Sequence, residues 1–334
     1  MFTLLPLVLL IVGGAVVVLV AVRSRSSAAA PVVETRFRVD VATQVTRTRR
    51  RLALALGLYF VVGAALVLAL PSEPLLGLGQ ALGVAVAAIV AALTLAASPV
   101  AVWPGSTGLR TAELTPRSGG SFGPRWGFAL PLASAGILIL FLLVTGLSST
   151  TDDFGLYRAF TVEHGTGSST GSPYPGWYYG VPVILATIVL ALAVLLVLHR
   201  IAAAPRPASP ELFDVDDALR RSVTRFVMLL SSSALLAYFA GVAVIAGMVT
   251  SSTATQWTTS PDWQIGAGGV GLGGDYLPTY LQPIYAVGIA EVVGGLVLFA
   301  LAIVLLVAAV VTAALRWAPA VVAEPEFESG MVHA

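Results

Sequence analysis

Seven stretches of the chain run with almost no polar position: Phe2 to Val22, Leu52 to Leu70, Leu75 to Val102, Gly127 to Leu147, Tyr179 to Leu198, Phe226 to Val249 and Ile284 to Leu315. Each reaches the roughly 20 residues that a helix needs to cross the hydrocarbon core of a bilayer. The runs are continuous, unlike the short alternating strands of a membrane barrel, and in lipid only helices and closed barrels satisfy their own backbone. The pattern predicts an all-α fold, a polytopic transmembrane helix bundle of seven spans. Segments 23–51, 148–178 and 250–283 are then loops, and 317–334 is a tail.

The polar residues between the runs orient the bundle. The loop 23–51 carries eight Arg against Glu34 and Asp40, a net of +6, and a basic short loop stays on the cytoplasmic side. Alternating from there, 17 of the 18 basic residues fall inside and only Arg158 falls outside. The N-terminus is predicted outside and the C-terminus inside, in the inner membrane of a bacterium. The small-residue stretch "SSAAAP" after the first run looks like a leader cleavage site, but no basic segment precedes that run and the charges follow it. An inserted first helix is the reading adopted.

Composition agrees: 57% of residues are hydrophobic, 10% are charged and the mean hydropathy is +0.91, where soluble domains carry about 25% charged residues. Cysteine is absent, which removes disulfides, thiolate metal sites and thiol nucleophiles. Lysine is absent too, so a retinal Schiff base is excluded despite the seven-span count. The three histidines, His164, His199 and His333, fall in a loop, at a span end and in the tail, which does not suit a pair of haem ligands within the bundle. No cofactor and no nucleic-acid partner is expected.

Several local motifs dissolve once the spans are drawn. "GAGGVGLGGDY" at 266–276 contains the spacing G-x-G-x-x-G, but it lies between two spans on the outer side, without the strand before and helix after that a dinucleotide site needs. "GGSFG" around Ser121 and "GSSTG" around Ser169 resemble a nucleophile elbow, yet neither is expected at a strand-to-helix turn. Asp152, Asp153, Glu163 and His164 share one outer loop and fit no known cation-loop spacing; solvated carboxylates are the simpler reading. In "PELFDVDDALRR", Asp216 with Arg220 and Asp217 with Arg221 are spaced for i,i+4 pairs on a short surface helix leading into span six. Phe37, Val39, Val41 and Val45, among arginines, suit a segment lying on anionic lipid headgroups.

Within the spans, ionisable groups are costly and mark function by default. Glu291 is the one such residue, either reaching solvent at the outer interface or facing a cavity. Gln80 and the run Ser231, Ser232, Ser233 are the other polar groups, and Gly79 with Gly83 forms a G-x-x-x-G; helix packing is the default for these. Trp177, Tyr178, Tyr179, Tyr276, Tyr280 and Tyr285 suit an aromatic belt at headgroup depth. Spans four to five and six to seven share a pattern of Arg, long outer loop and aromatic return, consistent with a parallel repeat.

Three stretches, "GLRTAELTPR" at 108–117, "PYPGWYYGVPV" at 173–183 and "PRPASPELFDVDDALRR" at 205–221, resemble a group of uncharacterised multi-pass membrane proteins of high-GC actinobacteria. The resemblance implies origin and topology and carries no activity. The expectation is a non-catalytic accessory, sensory or complex-forming membrane subunit, whose partners are the bilayer, anionic headgroups at the Arg cluster, and a membrane or cytosolic protein. The alternative is a permease or a transporter of lipids or small molecules, suggested by Pro131 and Pro182 inside spans and by Glu291.

Overall fold

The computed structural model describes residues 32–33, 37–69, 76–98, 103, 122, 125–164, 167–256, 281–314 and 320–321. The first expected span, the glycine run 266–276 and Ser121 lie outside the described residues. Among those described are six long helices: α1 (Arg38–Ala69), α2 (Leu78–Ala97), α3 (Arg125–Leu147), α4 (Trp177–Ala203), α5 (Phe213–Gln256) and α6 (Gln282–Ala314). All six are long and apolar enough to cross a membrane, and they coincide with the second to seventh hydrophobic runs.

Two helices extend well beyond the apolar runs that predicted them. α1 starts at Arg38, and its buried positions Val41, Gln44, Val45, Thr48, Leu52, Ala55 and Tyr59 step by three and four, so one helical face continues from the basic segment into the apolar one. Its first turns bury Val41 and Val45 against Trp103, Leu212, Val215 and Leu219. That face is packed on protein and not spread on headgroups, while Val39 on the other side is 76% exposed. α5 runs unbroken from Phe213 to Gln256, so the expected surface helix and span six are one element. Its sequence has no proline and only Gly241 and Gly247 as weak points. At 1.5 Å per residue it is roughly 65 Å long, about twice the hydrocarbon thickness.

α5 and α6 form the tightest pair. Ser233, Ala240, Gly247 and Ala254 on α5, and Gly288, Gly295, Ala302 and Ala309 on α6, recur every seventh residue and are all buried. A heptad of small residues keeps one seam facing its partner and lets the backbones approach. At Gly295 an added Cβ would lie 2.9 Å from the Ala240 carbonyl oxygen, and at Gly247 it would lie 2.7 Å from the Val292 amide nitrogen. The Ser233 hydroxyl donates to the Ala302 carbonyl at 2.8 Å across the same seam. Elsewhere Gly83 of α2 lies against Leu66 and Val67 of α1, the packing role expected of its motif. α3 and α4 continue through Pro131 and Pro182. Their outward faces expose Leu132, Ile137, Leu140, Leu185, Ile188 and Leu192, an apolar surface suited to lipid.

The segment between α3 and α4, expected as a loop, is folded. Strands β2 (Thr150–Thr151), β3 (Tyr157–His164) and β4 (Gly167–Gly171) make an antiparallel sheet in that order. Thr150, Thr161 and Thr170 form a hydroxyl ladder across all three strands at 2.9 and 3.0 Å. Gly171 seats the sheet on Val249 and Thr253 of α5. Val32–Val33 (β1) pairs in parallel with Ala320–Val321 (β5), which brings the segment before α1 and the tail after α6 to the end of the bundle opposite the sheet.

The seam predicts a contrast within one helix. Gly247→Val would overpack α5 against α6 and cost about 1–3 kcal/mol, whereas the space beside Gly241 is open and Gly241→Ala should be neutral or stabilising. Thermal unfolding of the detergent-purified chain should separate the two variants in that order.

Candidate functional site

Polar side chains gather at the two ends of α5. At the first end α4 stops at Ala203 and leaves its last carbonyls without amide partners. Arg220, fully buried, fills that gap: Nη1 donates to the Ile201 and Ala204 carbonyls at 2.6 and 3.1 Å, and Nη2 to the Pro205 carbonyl at 2.9 Å. Its Nε donates to Asp216 Oδ2 at 2.8 Å, and Trp103 Nε1 donates to Asp216 Oδ1 at 3.0 Å. The guanidinium lies 5.4 Å from the Phe122 ring centroid. The pair expected on a solvated surface helix is therefore a sealed junction. Its members come from α4, α5 and, through Trp103 and Phe122, the segment linking α2 to α3. Such a pair contributes little as isolated charges, but losing one partner strands the other and costs about 3–5 kcal/mol. Asp217 remains partly exposed and accepts a bond from Arg206 at 3.4 Å.

At the other end, Asp152 organises the turn between β2 and β3. Its Oδ1 accepts from the amides of Phe154 and Leu156, both at 2.9 Å, and its Oδ2 pairs with Arg158 Nε. Burial alone would raise the Asp152 carboxyl, yet the turn amides and the guanidinium hold it below the usual carboxylate range. Burial likewise opposes the Arg158 charge, but bonds to Tyr179 and Asp152 keep it above its ordinary value. The Tyr179 hydroxyl also donates to the Leu76 carbonyl, in a turn where Leu76 has a φ of 49° and Gly77 of 84°. Asp152 is thus spent on the sheet. Glu163 is exposed near the far end of β3, and the side chain of His164 is not among the described ones. Among the described residues no group of three or more His, Asp or Glu comes together. Ser169 sits in the middle of β4, opposite Val162, where no strand-to-helix turn presents it.

Beneath the sheet lies a small polar layer that spacing did not reveal. Tyr174, 4% exposed, follows a cis peptide at Ser172–Pro173 and shares a hydrogen bond of 3.0 Å with the Ser148 hydroxyl. Burial pushes the Tyr174 phenol up, the Ser148 bond opposes this, and the charge of Glu291 adds to it. Glu291 on α6 faces the Thr250 side chain of α5, and its Oε2 is buried without a partner. It stands against α5 at Gly247, where an added Cβ would meet its own at 2.9 Å.

The sequence-predicted polar residues do not converge. Ser231 bonds back to the Val227 and Met228 carbonyls, Ser233 crosses to Ala302, and the Ser232 hydroxyl is buried unpartnered. A cavity of about 10 Å³ beside Ser231, lined by Ala88, Ala92, Leu190, Val194 and Val227, is about the size of one water. Glu291 lies near Gly247, 14 residues along α5 from Ser233, or roughly 20 Å. Gln80 sits half-buried in the first turn of α2, at the sheet end.

These features define a helical bundle of membrane-spanning type with a small sheet docked on one end and a buried ion-pair junction at the other. Compared with protein families, with curated proteins and with solved structures, the chain has no match.

The sheet end yields a pH dependence. The folded Asp152 carboxyl titrates below its unfolded value of about 3.9, so its stabilisation is present above that pH and is lost as pH falls through the folded value. Hydrogen exchange at the Phe154 and Leu156 amides should accelerate in acid beyond the normal intrinsic dependence. In Asp152→Asn that excess should disappear.

Proposed function

We propose that the chain is an integral membrane protein acting as a non-catalytic, complex-forming subunit, with the sheet outside and the Arg220 junction on the cytoplasmic side. One observation carries this reading: a single unbroken helix, α5, holds the sheet at one end and the sealed Arg220 junction at the other. An element of that kind joins the two faces of a membrane mechanically, as a subunit that presents a surface requires. The polar groups along it are supporting evidence, because Ser231 and Ser233 are committed to helix carbonyls and so serve packing.

The presented surface is the sheet. Phe154 and Tyr157 are 72% and 53% exposed, and the Arg158 guanidinium stacks 5.6 Å from the Phe154 centroid, so the aromatics sit on a fixed support. Exposed aromatics on a rigid element are efficient anchors for a protein partner. The orientation rests on the asymmetry of arginine across the spans.

A photo-crosslinking residue in place of Tyr157, in intact cells, tests the reading. A discrete adduct with a second membrane or secreted protein, lost on Phe154→Ala, is the expected outcome. No adduct, or adducts only with the chain itself, would contradict the subunit role. Labelling of Tyr157→Cys by an impermeant maleimide only after lysis would reverse the orientation.

A further inference from the structure

We infer that the Arg220 end of the bundle carries a binding collar for anionic lipid headgroups, built from Arg47 and Arg50 of α1, Arg200 of α4, and Arg221 and Arg225 of α5. The inference rests on the membrane reading above and gives the bundle a lipid partner of stated charge. All five side chains are exposed. Three helices bring them to one level. Arg220 bonds the Ile201 carbonyl, which sets Arg200 and Arg221 on either side of that contact, and α1 packs in parallel on α5 through Val41 and Val45 against Leu212, Val215 and Leu219. That register sets Arg47 and Arg50 about half a turn to one and a half turns further along, level with Arg221 and Arg225. On α1 and on α5 the paired arginines span only about 4.5–6 Å, comparable to one headgroup layer.

Apolar surface starts within one turn of this layer. Leu54 follows Arg50 and is 55% exposed, and Leu196 precedes Arg200 and is 42% exposed. A ring of guanidiniums at such a step stands where lipid phosphates lie. The two carboxylates one turn further out on α5 are occupied, Asp216 by Arg220 and Asp217 by Arg206, while Asp40 and Asp214 lie about two turns from the collar. None of the five collar residues forms an ion pair with a described residue. Arg221 spends only its Nε, on the Asp217 carbonyl at 3.2 Å, which leaves its terminal nitrogens for phosphate. Guanidinium forks suit phosphate oxygens in geometry as well as charge.

Native mass spectrometry of the full chain tests this, after reconstitution in phosphatidylcholine nanodiscs with and without phosphatidylglycerol and release into mild detergent. Phosphatidylglycerol should stay bound in preference to phosphatidylcholine. Its retention should fall roughly ten- to thirty-fold in the double variants R221Q/R225Q and R47Q/R50Q, at about 1 kcal/mol for each guanidinium, and weaken with salt. Arg158→Gln at the opposite end should change nothing. Equal retention in the wild type and both double variants would overturn the collar. Displacement of the lipid by millimolar glycerol phosphate would assign the residues to a soluble phosphate and also overturn it. Release of the chain from membranes by alkaline carbonate would instead overturn the membrane reading on which the collar depends.

Discussion

The structure depends first on one buried cation. A guanidinium taken out of water must have its donors satisfied and its charge answered, or its desolvation undoes the fold. Arg220 meets that demand with three carbonyls at and just past the end of α4, one carboxylate from its own helix and the face of Phe122. The carboxylate in turn requires Trp103. Four separate parts of the chain are therefore positioned by the satisfaction of one side chain. The apolar contacts that fill the bundle are less selective, since leucine and alanine faces in lipid have no strong preference for a given neighbour.

From that junction α5 extends to the sheet, and a second constraint acts along the way. Close approach of α5 and α6 is possible only because every seventh residue on the seam is Gly, Ala or Ser. The pair forms a stiff rod, and the sheet is fixed to it by Gly171 against Val249 and Thr253. The sheet itself is tied by Asp152 and Arg158 to Tyr179 at the start of α4. α4 and α5 are thus linked at both ends, by Arg220 on one side and on the other through the sheet, which meets α4 at Tyr179 and α5 at Val249 and Thr253. Glu291 lies in the rod just below the sheet, facing Thr250 across the seam.

Much of this was legible in the sequence because a bilayer imposes length. The second to seventh apolar runs locate α1 to α6, and the default of helix packing for Ser231, Ser233 and Gly83 matches the bonds and contacts they make. What the runs conceal is where helices end, since hydropathy falls at Arg51 and Arg225 while the helices continue back to Arg38 and Phe213. The buried stripe through Val41, Val45 and Thr48 continued the period across that fall, and periodicity was the signal available. The sheet was hidden differently: "YRAFTVEH" is a run of strand formers bounded by glycines, set in a segment that composition alone marks as loop. The Asp216–Arg220 spacing was visible, but not its burial, because Trp103 and the end of α4 reach it only through the tertiary fold.

The chain contains no cysteine, so spin labels can be introduced at chosen positions without background. The most direct test places them at Thr46 on α1 and His199 on α4, both exposed at the Arg220 end, and measures the distance between them by double electron–electron resonance. With Arg220 in place the distribution should be single and narrow. Arg220→Met should broaden it, and a second pair at Phe154 and Tyr285, at the sheet end, should remain narrow. An unchanged Thr46–His199 distribution in Arg220→Met would contradict the claim that this one buried cation holds that end of the bundle together.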